Sequence, residues 1–372
     1  MTAKSLAAIL LCVVLLFGCV CAEETETETD SKLYVTFMNI GRNDGILIEC
    51  CGEAAFIDGG NHGSVEKIKE FLHFRGVEKL KYYIGTHGHV DHVGCTAYII
   101  EEFPTECILT NYELAIEAML SDCKTKEQKE LIQNTEVKYV KTGDVFNIGE
   151  ADLECIGPDQ ITRWASYKDG NENSNSLIFR LTLGSKSFIL TGDTTNRDMM
   201  RMMKANPGMF DGTVFKSPHH EVGVTDDVGE LIKCEYYIFS TASNDLPTQG
   251  RLNCARKMGA RVFVTSGNSA GHVMFITDGE TIEYKTQLKI KKMTVSVSKS
   301  ITLTEGRRKS VTVTIHPLNG PDTIYSTTTD ENVAYFDPNT KYIYAVGPGE
   351  CTIRICAFDD SYAEVRVKVK AK

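Results

Sequence analysis

The sequence lacks any C-x-x-C pair, although it contains 13 cysteines. Cys12, Cys19 and Cys21 fall in an apolar N-terminal run, and the others are scattered, with one adjacent pair, Cys50-Cys51. Cysteine spacing therefore predicts no disulfide connectivity. The chain also lacks an excess of basic residues, because 40 Lys and Arg against 50 Asp and Glu give a formal net charge of −10. That balance argues against tight, unassisted binding to long nucleic acid, but not against a metal site that accepts one phosphate.

The apolar run near the N-terminus, Leu6 to Val20, is too short for a comfortable membrane span. It ends in an A-x-A-like cleavage site, so residues 1–22 predict a secretory signal peptide, and residues 23–31 predict a solvated acidic linker. The alternative is a lipoprotein signal that is acylated at Cys19. In either case we expect an exported protein, secreted or attached to the cell surface, with no transmembrane helix after processing.

Histidine is scarce, and its distribution is uneven. The chain has nine histidines, with none between His92 and Asp193, yet three stand within six residues in the segment from Thr86 to His92. This segment, Thr-His-Gly-His-Val-Asp-His, directly follows an apolar run, so a strand would present three imidazoles and one carboxylate at the edge of a sheet. The spacing indicates a metal site.

The order of the residues in this motif predicts two metal positions. His87 and His89, two apart in an extended segment, can reach one cation together, and Asp91 and His92 then point toward a second. Neutral imidazole with carboxylate suits zinc best, with manganese or iron as alternatives. Two such ions, about 3.5–4 Å apart, share a water whose pKa falls toward ~7, which makes a hydroxide nucleophile at neutral pH.

Two aspartates elsewhere follow apolar strands in the same way. Asp58 precedes two glycines, and it is either an acceptor that orients a metal-bound imidazole or an ordinary turn residue. Asp193 follows the strand Phe188 to Leu190 and a glycine, and its carboxylate is expected to lie between the two metals. Lys216, after a further strand, is expected to be a solvated lysine, with an anion contact as the alternative.

Two adjacent histidines, His219 and His220, follow the strand that contains Lys216. One of them is expected to complete the second metal position, and the other to lie near the substrate. The sequence does not decide between them. We assign His219 to the metal and His220, with Asp91 and Asp193, to catalysis.

The length of 372 residues suggests two domains. Residues 32–287 alternate strand and helix patterns, including helical stretches at Ser64 to Arg75 and Glu113 to Asn134. From residue 288 onward the chain has short strands with turn residues and no helical pattern, which predicts a small all-β sandwich over residues 288–372. This second part has no cluster of acids and histidines, so we expect a structural or adhesive role for it.

Residues 32–287 resemble the metallo-β-lactamase-fold hydrolases, and most closely the extracellular hydrolase domain of ComEC-type competence proteins. Phe37 to Ile48 is similar to that group's opening F-L-D-V-G-Q-G-D-A-I-L-I. The other matching stretches follow in the group's order: Ile57 to Gly60, Thr86 to His92, Asn173 to Leu177, Leu190 to Asp193, and Lys216 to His220. The resemblance implies an α/β fold, an αββα sandwich with two metals at one edge of its sheets.

The resemblance also implies roles for the metal residues, with one ion bound by His87 and His89, the other by Asp91 and His92, and both bridged by Asp193. The third histidine that usually completes the first position is missing, as it generally is in the ComEC-type group. Asn173, Asn175 or a water is expected in its place.

Two departures from the ComEC-type pattern concern the substrate side. Arg42 and Asn43 stand where the group usually has Gln-Gly. The group's Gly-His-Pro motif after the double histidine appears here as Asp245 to Thr248, which is more similar to the secreted phosphorylcholine esterase of the same fold.

Residues from about 290 to 370 resemble a bacterial group 2 immunoglobulin-like domain. Thr323 to Ala334 is similar to that domain's V-T-W-S-S-S-D-x-S-V-A stretch, with Tyr325 where tryptophan is usual, and Ala345 to Ile353 is similar to its A-x-x-A-G-T-A-T-I stretch. Such domains are common on bacterial surface proteins. The resemblance therefore implies contact with the cell surface or wall.

These observations predict an exported bacterial metal-dependent hydrolase with two zinc ions and a bridging hydroxide. By analogy with the groups it resembles, the expected substrate is a phosphodiester, either nucleic acid or a phosphorylated wall polymer. Hydrolysis of a lactam or thioester is a third possibility that uses the same metals. The alternative from another class is a surface-binding or adhesion protein whose metal site is structural or degenerate.

Overall fold

The computed structural model describes residues 31–164, 166–168, 170–266, 270–287, 292–316, 324–338, 340–357 and 361–372. The predicted signal peptide and all but the last residue of the predicted linker lie outside the described residues, so export stays a prediction. Within the described residues, no helix combines the length and the apolar composition that crossing a membrane requires.

Before residue 288, the described chain alternates strands and helices as predicted. Its strands are β1 (Leu33–Phe37), β2 (Ile46–Cys50), β3 (Glu53–Ile57), β4 (Leu80–Gly85), β5 (Thr105–Thr110), β6 (Glu136–Tyr139), β7 (Val145–Ile148), β8 (Ala151–Gly157), β9 (Ile178–Leu183), β10 (Lys186–Leu190), β11 (Val214–Lys216), β12 (Tyr236–Phe239), β13 (Arg261–Val264), β14 (Val273–Thr277) and β15 (Ile282–Thr286). Its α-helices are α1 (Val65–Phe74), α2 (Val90–Val93), α3 (Thr96–Glu102), α4 (Glu113–Asp122), α5 (Lys126–Asn134), α6 (Asn196–Ala205), α7 (Asp226–Gly229) and α8 (Gln249–Lys257). Short 3-10 helices cover His62–Ser64 and Gly170–Asn175.

The strands form two sheets that pack face to face. The first sheet has eight strands in the order β15-β14-β1-β2-β3-β4-β5-β6, and the second has seven in the order β13-β12-β11-β10-β9-β8-β7. Strands β3 to β6 run parallel to one another, and so do strands β10 to β13. Parallel neighbours matter for the site, because their carboxyl ends lie at the same edge of a sheet.

Helices cover the outer face of each sheet, and strand β2 shows how alternation produces these layers. Ile46 and Ile48 point into the core between the sheets, whereas Leu47 points outward and packs against the helices. A separate apolar core lies between the second sheet and helices α6 to α8, with Met199 and Phe215 among its residues. The predicted αββα order is therefore confirmed.

Two predicted helices differ in detail from the structure. Helix α1 begins one residue inside the predicted stretch from Ser64 to Arg75, and the Ser64 hydroxyl donates to the Ile40 carbonyl at 3.2 Å instead of capping a helical N–H. The stretch from Glu113 to Asn134 is two helices, because a second helix begins after Thr125. The Thr125 hydroxyl accepts from the Gln128 N–H at 3.1 Å, and the Gln128 side chain accepts from the Lys124 N–H, so the new N-terminus is capped from both sides.

The chain after residue 291 is β-rich, as predicted. Its described strands are β16 (Lys292–Val295), β17 (Ser300–Thr304), β18 (Arg308–Ser310), β19 (Val313–His316), β20 (Ile324–Thr328), β21 (Ala334–Asp337), β22 (Tyr342–Ala345), β23 (Gly349–Ala357) and β24 (Tyr362–Lys370). They form sheets of two, four and three strands, in the orders β16-β19, β17-β24-β23-β20 and β18-β22-β21. Ile343, Ile353 and Val367 are fully buried in the core that these sheets share. The immunoglobulin-like assignment and the boundary at residue 288 stay predictions.

Candidate metal centre

Four strands end at one edge of the sandwich, and each is followed by residues predicted for the site. Asp58 follows β3, the histidine motif follows β4, Asp193 follows β10, and the double histidine follows β11. A backbone hydrogen bond joins the loops of the two sheets, because the Leu177 N–H donates to the Thr86 carbonyl at 3.0 Å. The loops that carry the predicted ligands are therefore held against each other.

The backbone at this edge adopts conformations that most residues avoid. Asp58, His219 and His220 have φ angles of 55°, 50° and 55°, in the left-handed region. Such residues cluster at functional sites, where the surrounding contacts must hold them. Gly192 also has positive φ, and a Cβ there would lie 3.0 Å from the Ser176 Cβ. Glycine therefore allows the end of β10 to approach the opposite loop and to place Asp193.

Four side chains each bring one ligand atom within 4.8 Å of the others: Asp91, His92, Asp193 and His220. We call them the ligand cluster. His92 Nε2 lies 3.2 Å from Asp193 Oδ1, and His220 Nε2 lies 3.3 Å from Asp91 Oδ2 and 3.6 Å from Asp193 Oδ2. Three of these residues are fully buried, and Asp91 is partly exposed, which leaves the cluster one open side.

The ligand cluster has polar atoms that no described group satisfies. His92 Nε2, Asp193 Oδ1 and His220 Nε2 are buried without a hydrogen bond of acceptable geometry, although the first two lie close together. Buried polar atoms are normally paired, since leaving one unpaired costs about 1–3 kcal/mol. A divalent cation would satisfy all three at once. Two imidazoles with two carboxylates form a donor set that suits zinc, manganese or iron.

A carboxylate lies behind each imidazole of the ligand cluster. His92 Nδ1 lies 2.7 Å from Asp58 Oδ2, and His220 Nδ1 lies 3.5 Å from Asp44 Oδ1. Asp58 also accepts hydrogen bonds from the N–H and the hydroxyl of Thr86, at 2.9 and 2.8 Å. Carboxylates in this position fix the ring orientation of a metal-binding histidine and direct Nε2 toward the metal.

The local charge favours a cation. Burial alone would lower the pKa of both cluster imidazoles, but Asp193 and Asp58 raise the pKa of His92 well above its usual value, and Asp193 and Asp44 raise that of His220 to about 9. Positive charge at these Nε2 atoms is therefore stabilised, and a metal ion would take the place of the protons.

Lys216 is not the solvated residue that the sequence predicted. Its side chain is fully buried, forms an ion pair with Asp44 and donates to the Gly192 carbonyl at 2.9 Å. Burial would raise the pKa of Asp44, but Lys216, followed by His220 and His92, lowers it to about 2. Asp44, Asp58 and His92 form a second group of close ligand atoms, and the Lys216 ammonium supplies positive charge there.

The other predicted metal residues lie beside the ligand cluster. His87 is fully buried, with its ring centroid 4.2 Å from that of His92, and its Nε2 lies 3.1 Å from His89 Nδ1. Burial and His92 lower the pKa of His87 well below its usual value, so the ring is neutral, the form that binds metals. His219 is partly exposed, with Nε2 3.8 Å from Asp193 Oδ2, so His220 occupies the position that the sequence analysis gave to His219. The ligand roles of these histidines stay predictions.

The two asparagines proposed for the missing ligand differ in their surroundings. Asn175 is committed to its loop, since its amide nitrogen donates to the Tyr112 hydroxyl and to Glu172, and its side-chain oxygen accepts from the Thr162 N–H at 2.8 Å. Asn173 is buried, and its side-chain oxygen has no hydrogen-bond partner among the described residues. Of the two, Asn173 is thus the one whose side-chain oxygen remains available as a ligand.

Asp58→Asn is expected to lower the affinity for zinc about 10- to 100-fold, because an amide nitrogen at this position cannot accept the hydrogen bond from His92 Nδ1. The affinity would be measured by competition with a chelator. Asp152→Asn, on an exposed residue of β8, is the matched control. An unchanged affinity in Asp58→Asn would show that Asp58 is an ordinary turn residue.

Sequence reasoning missed two residues that shape this site. Asp44 pairs with Lys216 and lies 3.5 Å from His220 Nδ1, yet it was not proposed as a site residue. It matches the aspartate at the end of the ComEC-type G-Q-G-D opening, so a signal was present. Glu221 pairs with Arg42 at 2.9 Å next to the ligand cluster, and no motif in the sequence around Glu221 indicated this role.

Comparison with known proteins agrees with this geometry. Residues 43–222 match the family model of the Metallo-beta-lactamase superfamily. The ComE operon protein 3 of Bacillus subtilis (strain 168) is 24% identical over 207 residues, which are 53% of this chain and 25% of that protein. The chain therefore matches only a quarter of the length of this relative. The αββα layers and this family match agree with the predicted metallo-β-lactamase fold, and the described strands after residue 291 form the predicted β-rich region.

Two solved structures have related shapes. Igni18, a metallo hydrolase from the archaeon Ignicoccus hospitalis KIN4/I, is 13% identical with a TM-score of 0.41, over 66% of this chain and 98% of that one. A diphosphatase from the PhnP family is 12% identical with a TM-score of 0.37, over 63% of this chain and 87% of that one. Neither likeness bears on the activity of this chain.

Proposed function

We propose that this chain, with its metallo-β-lactamase fold, is a metal-dependent hydrolase of phosphodiesters. The observation that carries the proposal is the ligand cluster, in which buried imidazole and carboxylate atoms converge without partners at the edge of the sandwich. An adhesion protein with a degenerate metal site would have no need of such a group. Unpaired buried charge costs stability, and catalytic sites are where proteins retain it.

Some residues of this site would bind the metal ions, and others position the imidazoles. Asp91, His92, Asp193 and His220 would hold one ion, and His87, His89 and Asp193 a second. When bound, divalent ions would polarise the scissile group and lower the pKa of a coordinated water toward ~7. Asp58 holds the His92 imidazole by a hydrogen bond to Nδ1, and Asp44 places a negative charge behind His220. Their fixed positions avoid reorganisation during the reaction, which is the main source of electrostatic catalysis.

Zinc and the phosphodiester are the finer parts of the proposal. Zinc is favoured by the imidazole and carboxylate donors, with manganese or iron as alternatives. The phosphodiester is favoured by resemblance to the ComEC-type and phosphorylcholine esterase groups, as an analogy between folds. The natural substrate would then be nucleic acid or a phosphorylated wall polymer.

The direct test is hydrolysis of bis(p-nitrophenyl) phosphate by residues 23–372, with metal content measured on the same sample. We expect two metal ions per chain and release of p-nitrophenol that stops when a chelator is added and resumes with zinc or manganese. Nitrocefin and an acyl thioester serve as comparison substrates.

Other outcomes would change the assignment. Faster turnover of nitrocefin or the thioester than of the phosphodiester would mean that the substrate is a lactam or a thioester. The assignment of the metal site would then still stand. One metal ion per chain or none, with no release of p-nitrophenol in the presence of zinc or manganese, would reject the hydrolase proposal and favour the surface-binding alternative.

A further inference from the structure

Arg42 lies at the open side of the ligand cluster. Its Nη1 is 3.7 Å from Asp91 Oδ2, the same oxygen that lies 3.3 Å from His220 Nε2. The side chain is 34% exposed, so part of it faces solvent. Arg42 therefore stands between the cluster and the outside.

The hydrogen bonds of Arg42 hold the guanidinium in place and leave part of it available. Nε donates to both oxygens of the Glu221 carboxylate, at 3.0 and 2.9 Å. The distance from Nη1 to Asp91 is too long for a hydrogen bond, so this contact is electrostatic only. The guanidinium is thus oriented by Nε, and its Nη edge can donate to an incoming oxygen.

Among the described residues, Lys216 is the other lysine or arginine in contact with the site's acids, and it is not available to a substrate. Lys216 is fully buried and already bound to Asp44 and the Gly192 carbonyl. Its charge balances the protein's own carboxylate and cannot meet a substrate. Arg42 therefore adds, beside any bound metal ions, a positive charge that an anionic substrate can reach.

We propose that Arg42 binds a non-bridging oxygen of the substrate and makes this site selective for anionic over neutral esters. The inference rests on the proposed function and adds to it the charge of the substrate. A planar guanidinium presents parallel N–H donors that match two oxygens of a phosphate group, and it keeps its charge at all working pH values. A neutral lactam or triester offers no such pair of anionic oxygens. The ComEC-type group usually has an uncharged glutamine here, so this arginine contact would be particular to this chain.

The test compares two substrates that share a leaving group and differ in charge, bis(p-nitrophenyl) phosphate and its neutral methyl triester. In Arg42→Ala we expect KM for the diester to rise about 10- to 100-fold, with kcat/KM for the triester within about threefold of wild type. Arg42→Lys, which keeps the charge but loses the fork, should be intermediate. Arg307→Ala removes the same charge from an exposed residue of the C-terminal region and is the control.

A binding measurement makes the test independent of turnover. Calorimetry with inorganic phosphate on the metal-loaded protein should show at least about tenfold weaker binding in Arg42→Ala, with metal content unchanged. Equal losses on diester and triester would indicate a structural role for Arg42 and overturn the proposal, and so would unchanged phosphate binding. Absence of diester turnover in the wild type, with phosphate binding still dependent on Arg42, would instead reject the proposed reaction and leave the anion site standing.

Discussion

Asp193→Asn is expected to lower kcat for bis(p-nitrophenyl) phosphate by about 10²- to 10³-fold while the fold is retained. Asp193 faces three imidazoles, at 3.2 Å from His92, 3.6 Å from His220 and 3.8 Å from His219. Burial would raise the pKa of Asp193, but His220 and His92 lower it well below its usual value, so it is an anion in the folded protein. An amide of the same shape removes that charge from the centre of the site.

The measurement is steady-state turnover together with metal content and circular dichroism of the same preparation. His89→Ala is expected to lose turnover similarly, since His89 would hold the second ion. Asp226→Asn, on an exposed residue of α7 that pairs with Lys257 at 2.7 Å, is the matched control and should retain turnover. Near-normal rates in Asp193→Asn or His89→Ala would remove the basis of the proposed mechanism.

Lys216→Met is expected to lower the free energy of unfolding by about 3–5 kcal/mol, since it leaves the Asp44 carboxylate buried without its ammonium partner. Both side chains are inaccessible to solvent, and the Gly192 carbonyl loses its lysine donor as well. Urea unfolding of the chelator-treated protein would measure the loss without a contribution from bound metal.

A second substitution tests the cause. Asp44→Asn combined with Lys216→Met removes both charges, so the double variant should be more stable than Lys216→Met alone. A loss below about 1 kcal/mol in Lys216→Met would mean that the pair is hydrated like a surface ion pair. Equal instability in the single and double variants would mean that packing of the lysine stem, and not charge, is what matters.

Much of this protein follows from local sequence. The motif from Thr86 to His92 located the candidate metal site, because residues two to five apart after a strand lie near one another however the rest of the chain folds. Alternating apolar residues predicted the strands, and the resemblance of motifs in matching order implied the αββα order that the sheets have. The β-rich character of the region after residue 291 was predicted for the same reason.

Only the tertiary structure decided which groups meet. His219 and His220 are neighbours with positive φ, so the alternation of an extended strand does not predict which ring turns inward, and His220 is the one in the ligand cluster. Lys216 is buried because Asp44, far away in the sequence, meets it between the two sheets. The charge of a side chain can be read from the sequence, but its partners depend on how distant loops pack, and these partners determine whether that charge is solvated, balanced or available to a substrate.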